Sequence, residues 1–91
     1  MFFEWDPRKE AENRRKHGIS FREAATVFSD PLSTEFPDPD HSHDEQRYII
    51  IGMSRRDRIL VVAHTEEGDT IRIISARRAT RPERRFYEEE K

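Results

Sequence analysis

The chain has no cysteine, which excludes disulfides and thiolate zinc sites. It has no apolar run long enough to span a membrane. Only 33% of its 91 residues are hydrophobic, which allows one domain, residues 1–91, with one thin core. A partner or a second copy would add to the stability of such a core. Also missing are a Gly-rich phosphate loop, a Gly-x-Ser-x-Gly elbow and a glycosidase-like carboxylate pair, so those enzyme classes drop out. The opening Met1-Phe2-Phe3-Glu4-Trp5-Asp6 is too short and too acidic for a signal peptide, and a cytoplasmic location is expected.

Lysine is scarce as well, with three against fourteen arginines, and arginine is the better residue for bidentate contact with phosphate or carboxylate. The net charge of −2 hides an asymmetry. Residues 1–45 are acidic overall, whereas residues 46–91 are basic. Local charge therefore says more about partners than the total does.

Phe2 to Trp5 reads as a short strand. Asp6 is an N-cap and Pro7 takes the first helical position, which predicts a helix from Pro7 to about His17. That helix is almost wholly polar, with Ala11 its only aliphatic residue, and Gly18 supplies a left-handed stop. Ser20-Phe21-Arg22-Glu23 is a capping box for a second helix to about Phe28. Phe21, Ala24, Ala25 and Phe28 form its apolar face. Leu32 to Phe36 fits an edge strand. Three further strands are expected near Arg47–Ser54, Arg58–Thr65 and Thr70–Ala76, joined by short polar links as an antiparallel meander. Thr80-Arg81-Pro82-Glu83 opens a last helix carrying Phe86 and Tyr87. The expected class is α+β: a small antiparallel sheet in the order β-α-α-β-β-β-β-α, with its helices on one face.

Three constellations could carry chemistry. Arg72, Arg77, Arg78, Arg81, Arg84 and Arg85, with Arg58 and His64 on neighbouring strands, form a basic segment suited to a polyanion or an acidic partner. Strand alternation sets Arg72 on the face of Ile74, opposite Ile71 and Ile73. Asp38, Asp40, His41, His43, Asp44 and Glu45 make a metal-like set, but in a Pro-rich loop without helical ligand spacing. Lys16-His17-Gly18 reads as a helix end with dipole-compatible cations, or as part of the basic face.

An ordered set of segments spans nearly the whole chain. It comprises Phe3-Glu4-Trp5-Asp6, Asn13 with Lys16-His17-Gly18, Ser20-Phe21-Arg22-Glu23-Ala24 and Val27-Phe28-Ser29-Asp30-Pro31. It continues through His41-Ser42 with Glu45 and Arg47, Gly52-Met53-Ser54, and Arg72-Ile73-Ile74-Ser75-Ala76-Arg77 followed by Glu83-Arg84 and Tyr87. This pattern resembles the BrnT toxins of bacterial type II toxin–antitoxin systems. The resemblance implies a fold related to the RelE-type ribonuclease toxins, and RNA cleavage with arrest of translation. It also implies a BrnA-like ribbon-helix-helix antitoxin, through which the complex meets operator DNA, and a dimer or a two-plus-two assembly.

RNA carries its own nucleophile, the 2′-hydroxyl. A ribonuclease without metal or cofactor needs a base, cations for the phosphorane and an acid for the leaving oxygen. Arg72 and Arg77 are the expected phosphorane cations. His64, Tyr87 and His17 are candidates for acid or base. Arg58, Arg78, Lys16, His17 and Arg81 are expected to bind RNA. Two other readings stand beside this one. One is a non-catalytic module whose arginine face docks an acidic protein or assists operator binding. The other is a metal-dependent hydrolase using the Asp40/His41/His43 loop.

Overall fold

The computed structural model describes residues 1–40 and 46–89. Five strands and three helices follow in the order β1 (Phe2–Glu4), α1 (Pro7–His17), α2 (Phe21–Thr26), β2 (Thr34–Pro37), β3 (Tyr48–Met53), β4 (Ile59–Glu67), β5 (Thr70–Arg78) and α3 (Arg81–Glu89). A 3₁₀ turn at Val27–Ser29 continues α2. The α+β class and the element order are as expected from the sequence.

The helix ends show why the sequence breaks where it does. The Asp6 carboxylate accepts the Arg8 N–H, and Pro7 follows it into α1. Gly18 takes φ +71° and donates its N–H to the Arg14 carbonyl, which closes α1. The box at α3 is complete. Thr80 Oγ1 accepts the Glu83 N–H at 3.3 Å, and Glu83 accepts the Thr80 N–H at 2.8 Å. The box at α2 is only half made. Ser20 Oγ accepts the Glu23 N–H, but the Glu23 side chain turns inward rather than back to the Ser20 N–H, and Glu10 of α1 accepts the neighbouring Phe21 N–H.

The sheet runs β1-β5-β4-β3-β2. The meander from β2 to β5 is antiparallel, as its short links require, but β1 joins β5 in parallel, so the sheet is mixed rather than antiparallel throughout. The two helices after β1 carry the chain from one edge of the sheet to the other. Pairing strands so far apart in sequence leaves no turn signature to read.

The helices also divide between the two faces, which corrects the expectation of one helical face. Ile19, Phe21, Ala24 and Val27 from the α1–α2 layer pack on Ile50, Leu60, Val62, Ile71, Ile73 and Ala76. On the other face Tyr87 of α3 packs with Ile51 and Val61, flanked by Phe36, Ile49 and Ala79. The strands are apolar on both faces because both faces are covered. Tyr87 is the one buried residue of α3, and its hydroxyl donates to Asp30 Oδ2 at 2.6 Å, pinning the last helix to the turn after α2.

One close approach in this layer is testable. A Cβ on Gly52 would lie 2.8 Å from Val27 Cγ1 and 2.9 Å from Ser33 Cβ. Gly52→Ala is therefore expected to cost about 1–3 kcal/mol of overpacking. Urea denaturation reads it. A loss below about 0.5 kcal/mol would show that the turn yields freely.

A bulge in β5 shapes the basic segment. Ala63 lies opposite Ser75 and His64 opposite Ile73, so Ile74 is the extra residue. Strict alternation would place Arg72 and Arg77 on opposite faces. The bulge brings them to the same one, beside Thr65 and Val61 of β4 respectively.

Candidate nucleic-acid interface

The arginines separate by what already holds them. Arg58 forks onto Glu23 of α2: its Nε donates to Oε2 at 2.9 Å, and Nη2 contacts Oε1. Ser54 Oγ donates to the same carboxylate at 2.7 Å. The Arg58 guanidinium, helped by Ser54 and opposed by burial, holds the Glu23 carboxyl below the usual carboxylate range. This inward pair explains the half-made cap of α2. It fixes the β3–β4 turn and leaves Arg58 committed to the scaffold.

Arg77 is held on one side only. Its Nη1 and Nη2 reach Glu83 at 2.7 and 2.8 Å, and the side chain stays 42% exposed. The Arg77 fork holds the Glu83 carboxyl down at about 2, burial opposing and the Thr80 N–H assisting.

Arg72 sits elsewhere. It lies opposite Thr65, four residues along β4 from the partner of Arg77, so about 13 Å separates the two along the sheet. Arg72 Nη1 pairs with Glu4 at 3.0 Å in the open. The surrounding pocket also carries Glu66 and Glu67. That end of the sheet is acidic.

The opposite end is basic. There β3 turns into β4 and β5 passes to α3, with the Ala79 N–H donating to the Ile59 carbonyl. Arg55 and Arg56 lie in the turn, Arg78 at the end of β5 opposite Leu60, and Arg81 at the start of α3. All four are exposed, and among the described residues they carry no ion pair with a carboxylate. Arg84 and Arg85 follow on the exposed side of α3.

Beside β5 runs a groove of about 230 Å³, lined by Lys9, Glu12, Asn13, Lys16, His17 and the bulged Ile74–Ser75 segment. Lys16 and His17 are exposed. Asn13 is what brings α1 there. It is buried, and its Nδ2 donates to the carbonyls of Ala76 at 2.8 Å and Ile19 at 3.0 Å, while Oδ1 accepts the Ala76 N–H at 3.1 Å. The short β1 pairs only with Thr70–Arg72, so one Asn side chain takes the place of a neighbouring strand at Ala76. Sequence reasoning missed this role. A buried asparagine in a polar helix looks like any other solvated residue.

The other candidates lie away from this surface. His64 is fully buried on the α1–α2 face, where Phe28 meets it edge-on and Tyr48 stacks on it. Its Nε2 faces Glu35 at 3.1 Å and Glu66 at 3.0 Å. Burial, followed by the Glu66 charge, pushes the Glu35 carboxyl up. Tyr87 is buried under α3, and its hydroxyl is pushed up to about 12 by burial and by Asp30. Arg72, Arg77, His64 and Tyr87 thus do not converge on one surface. In the metal-like loop, Asp38 accepts the Asp40 N–H in a local turn. His41, Ser42, His43, Asp44 and Glu45 lie outside the described residues.

No helix among the described residues is long and apolar enough to cross a membrane. Residues 5–83 match the family model described as the ribonuclease toxin BrnT of type II toxin–antitoxin systems. The crystal structure of the Brucella abortus ribonuclease toxin BrnT superposes with a TM-score of 0.68 at 25% identity, covering 89% of this chain and 100% of that one. No curated protein matches the sequence.

Proposed function

Because the chain belongs to the BrnT family of ribonuclease toxins of type II toxin–antitoxin systems, we propose that it is a metal-independent endoribonuclease acting in the cytoplasm. It cleaves RNA, arrests translation, and is neutralised by a BrnA-like ribbon-helix-helix antitoxin. The family itself implies an antitoxin and an RNA substrate. The two-plus-two assembly and contact with operator DNA through the antitoxin belong to the same proposal.

One observation carries the reading: Arg55, Arg56, Arg78 and Arg81 crowd one end of the sheet, exposed and without an ion pair to a carboxylate among the described residues. Unpaired arginines at a rigid sheet end suit a phosphate backbone. Arg77, anchored by Glu83 yet open on its outer side, aims a cation at the reacting phosphate. His17 is the exposed imidazole of the neighbouring groove, with Lys16 beside it. His17 takes the 2′-hydroxyl proton, and the 2′-oxygen attacks the adjacent phosphorus. The bond to the 5′-oxygen then breaks as that oxygen takes a proton from water, leaving a 2′,3′-cyclic phosphate and a 5′-hydroxyl. Tyr87, kept protonated and buried beneath α3, acts as an anchor for the helix rather than as a base.

The purified chain is expected to cleave RNA in EDTA and to leave 2′,3′-cyclic phosphate ends. His17→Ala should lower the rate by about 100-fold or more while keeping the fold, since a positioned acid or base contributes about 10²–10⁴-fold. Cleavage only after metal is added, or products with 3′-hydroxyl ends, would overturn the mechanism.

A further inference from the structure

We infer that Glu35, His64 and Glu66 form a binding site for one divalent transition-metal cation, Zn²⁺ or a similar ion. The site is separate from the arginine end proposed to meet RNA. His64 and Glu66 are two residues apart on β4, so they share a face. Glu35 reaches them from β2, across the intervening β3. One ligand atom from each of the three residues lies within 4.8 Å of the others.

The distances suit a metal. Ligand atoms around tetrahedral zinc, at bonds of about 2.0–2.1 Å, stand about 3.3 Å apart. His64 Nε2 lies 3.1 Å from Glu35 Oε1 and 3.0 Å from Glu66 Oε2. Nε2 carries at most one N–H, yet it faces two carboxylates. The ring is fully buried, and Nδ1 has no hydrogen-bond partner among the described residues, so every polar contact of the imidazole goes into this cluster. Two carboxylates and one imidazole form the mixed oxygen and nitrogen set that Zn²⁺ accepts.

The surroundings favour a cation and leave it reachable. The cluster opens on a surface pocket of about 440 Å³ lined by Met1, Phe28, Ser33 and Asp69, with both glutamates at its wall. Three protein ligands leave a fourth position free on that side. An ion there would tie edge strand β2 to β4 and steady the sheet. Because Nδ1 lacks a partner to orient the ring, binding is expected to be weaker than at zinc sites whose histidines have one, by about 10–100-fold.

Titration calorimetry of the intact chain with ZnCl₂ tests the inference, with thermal melting beside it. The expected result is one saturable equivalent and a midpoint raised by several degrees. Both should weaken by about tenfold or more in Glu35→Gln and in Glu66→Gln, whose carboxylates are partly exposed and whose loss leaves His64 in place. No saturable binding by the wild type overturns the site. So does equal binding by the Glu35→Gln/Glu66→Gln double variant, which would place the ion elsewhere. RNA cleavage in EDTA, read on the same samples, reports on the ribonuclease proposal alone.

Discussion

Asn13→Ala is expected to cost about 3 kcal/mol and to lower the melting midpoint by more than about 10 °C. The side chain is 7% exposed and makes three hydrogen bonds, at 2.8, 3.0 and 3.1 Å. Two of them satisfy both backbone groups of Ala76 on a stretch of β5 that β1 does not reach. Truncation strands an N–H and two carbonyls in a site closed by α1. Each buried group left unpaired costs about 1–3 kcal/mol, with some recovered where water enters. Asn13→Leu should do no better, since it fills volume without offering a donor or an acceptor. Asn13→Asp keeps the acceptor for the Ala76 N–H but turns a carboxylate toward two carbonyl oxygens, so it should be at least as damaging as alanine. Chemical denaturation of the three variants decides the matter. A loss below about 0.5 kcal/mol for Asn13→Ala would mean that this edge is already solvated.

The loss is large because α1 has so little else to hold it. Its single aliphatic residue, Ala11, is exposed, and Asn13 is its only buried residue. The helix itself was legible from local chemistry: Asp6-Pro7 at one end and Gly18 at the other set the observed bounds. What fastens it to the sheet was not legible, because the partner is the backbone of Ala76, and a backbone carries no residue code. The same limit separates other readings that succeeded from those that failed. The Thr80–Glu83 box and the meander depend on residues close in sequence. The parallel pairing of β1 and the placing of α3 on the second face depend on contacts between distant segments. Glu23 has a capping-box spacing, yet Arg58, 35 residues away, takes its carboxylate. The bulge at Ile74 has no signature in Ile73-Ile74-Ser75, and it alone puts Arg72 and Arg77 on one face. For the site, the sequence located the basic segment, but composition could not tell paired arginines from unpaired ones. Glu35 and Glu66 went unremarked because only the folded sheet brings them to His64.

RNA affinity should therefore divide the arginines by position rather than by number. The triple variant Arg56→Ala/Arg78→Ala/Arg81→Ala is expected to bind single-stranded RNA on the order of 100-fold more weakly at low salt. Its dependence of log affinity on log salt should be shallower by about 2, since each phosphate contact to a single strand contributes about 0.7 to that slope. All three residues are exposed, so the fold should survive. Arg72→Ala is expected to change binding little. Its guanidinium already pairs with Glu4, and Glu67 lines the same pocket, so a phosphate there meets carboxylates rather than free cations. Arg77 should behave in a third way. Glu83→Gln removes a carboxylate held at about 2 and with it stability that is present above the unfolded value of about 4.5 and fades as pH falls toward 2. Because the pair is partly exposed, about 1 kcal/mol is the expected loss near neutral pH. Arg77→Ala should lose that stability too, and also the cation proposed to face the reacting phosphate, so its cleavage rate should fall much further than that of Glu83→Gln. Filter binding across a salt series, with cleavage rates on the same proteins, checks all of these. Equal loss of affinity in Arg72→Ala and the triple variant would mean that RNA lies along the whole of β5, and the basic end would lose its special place.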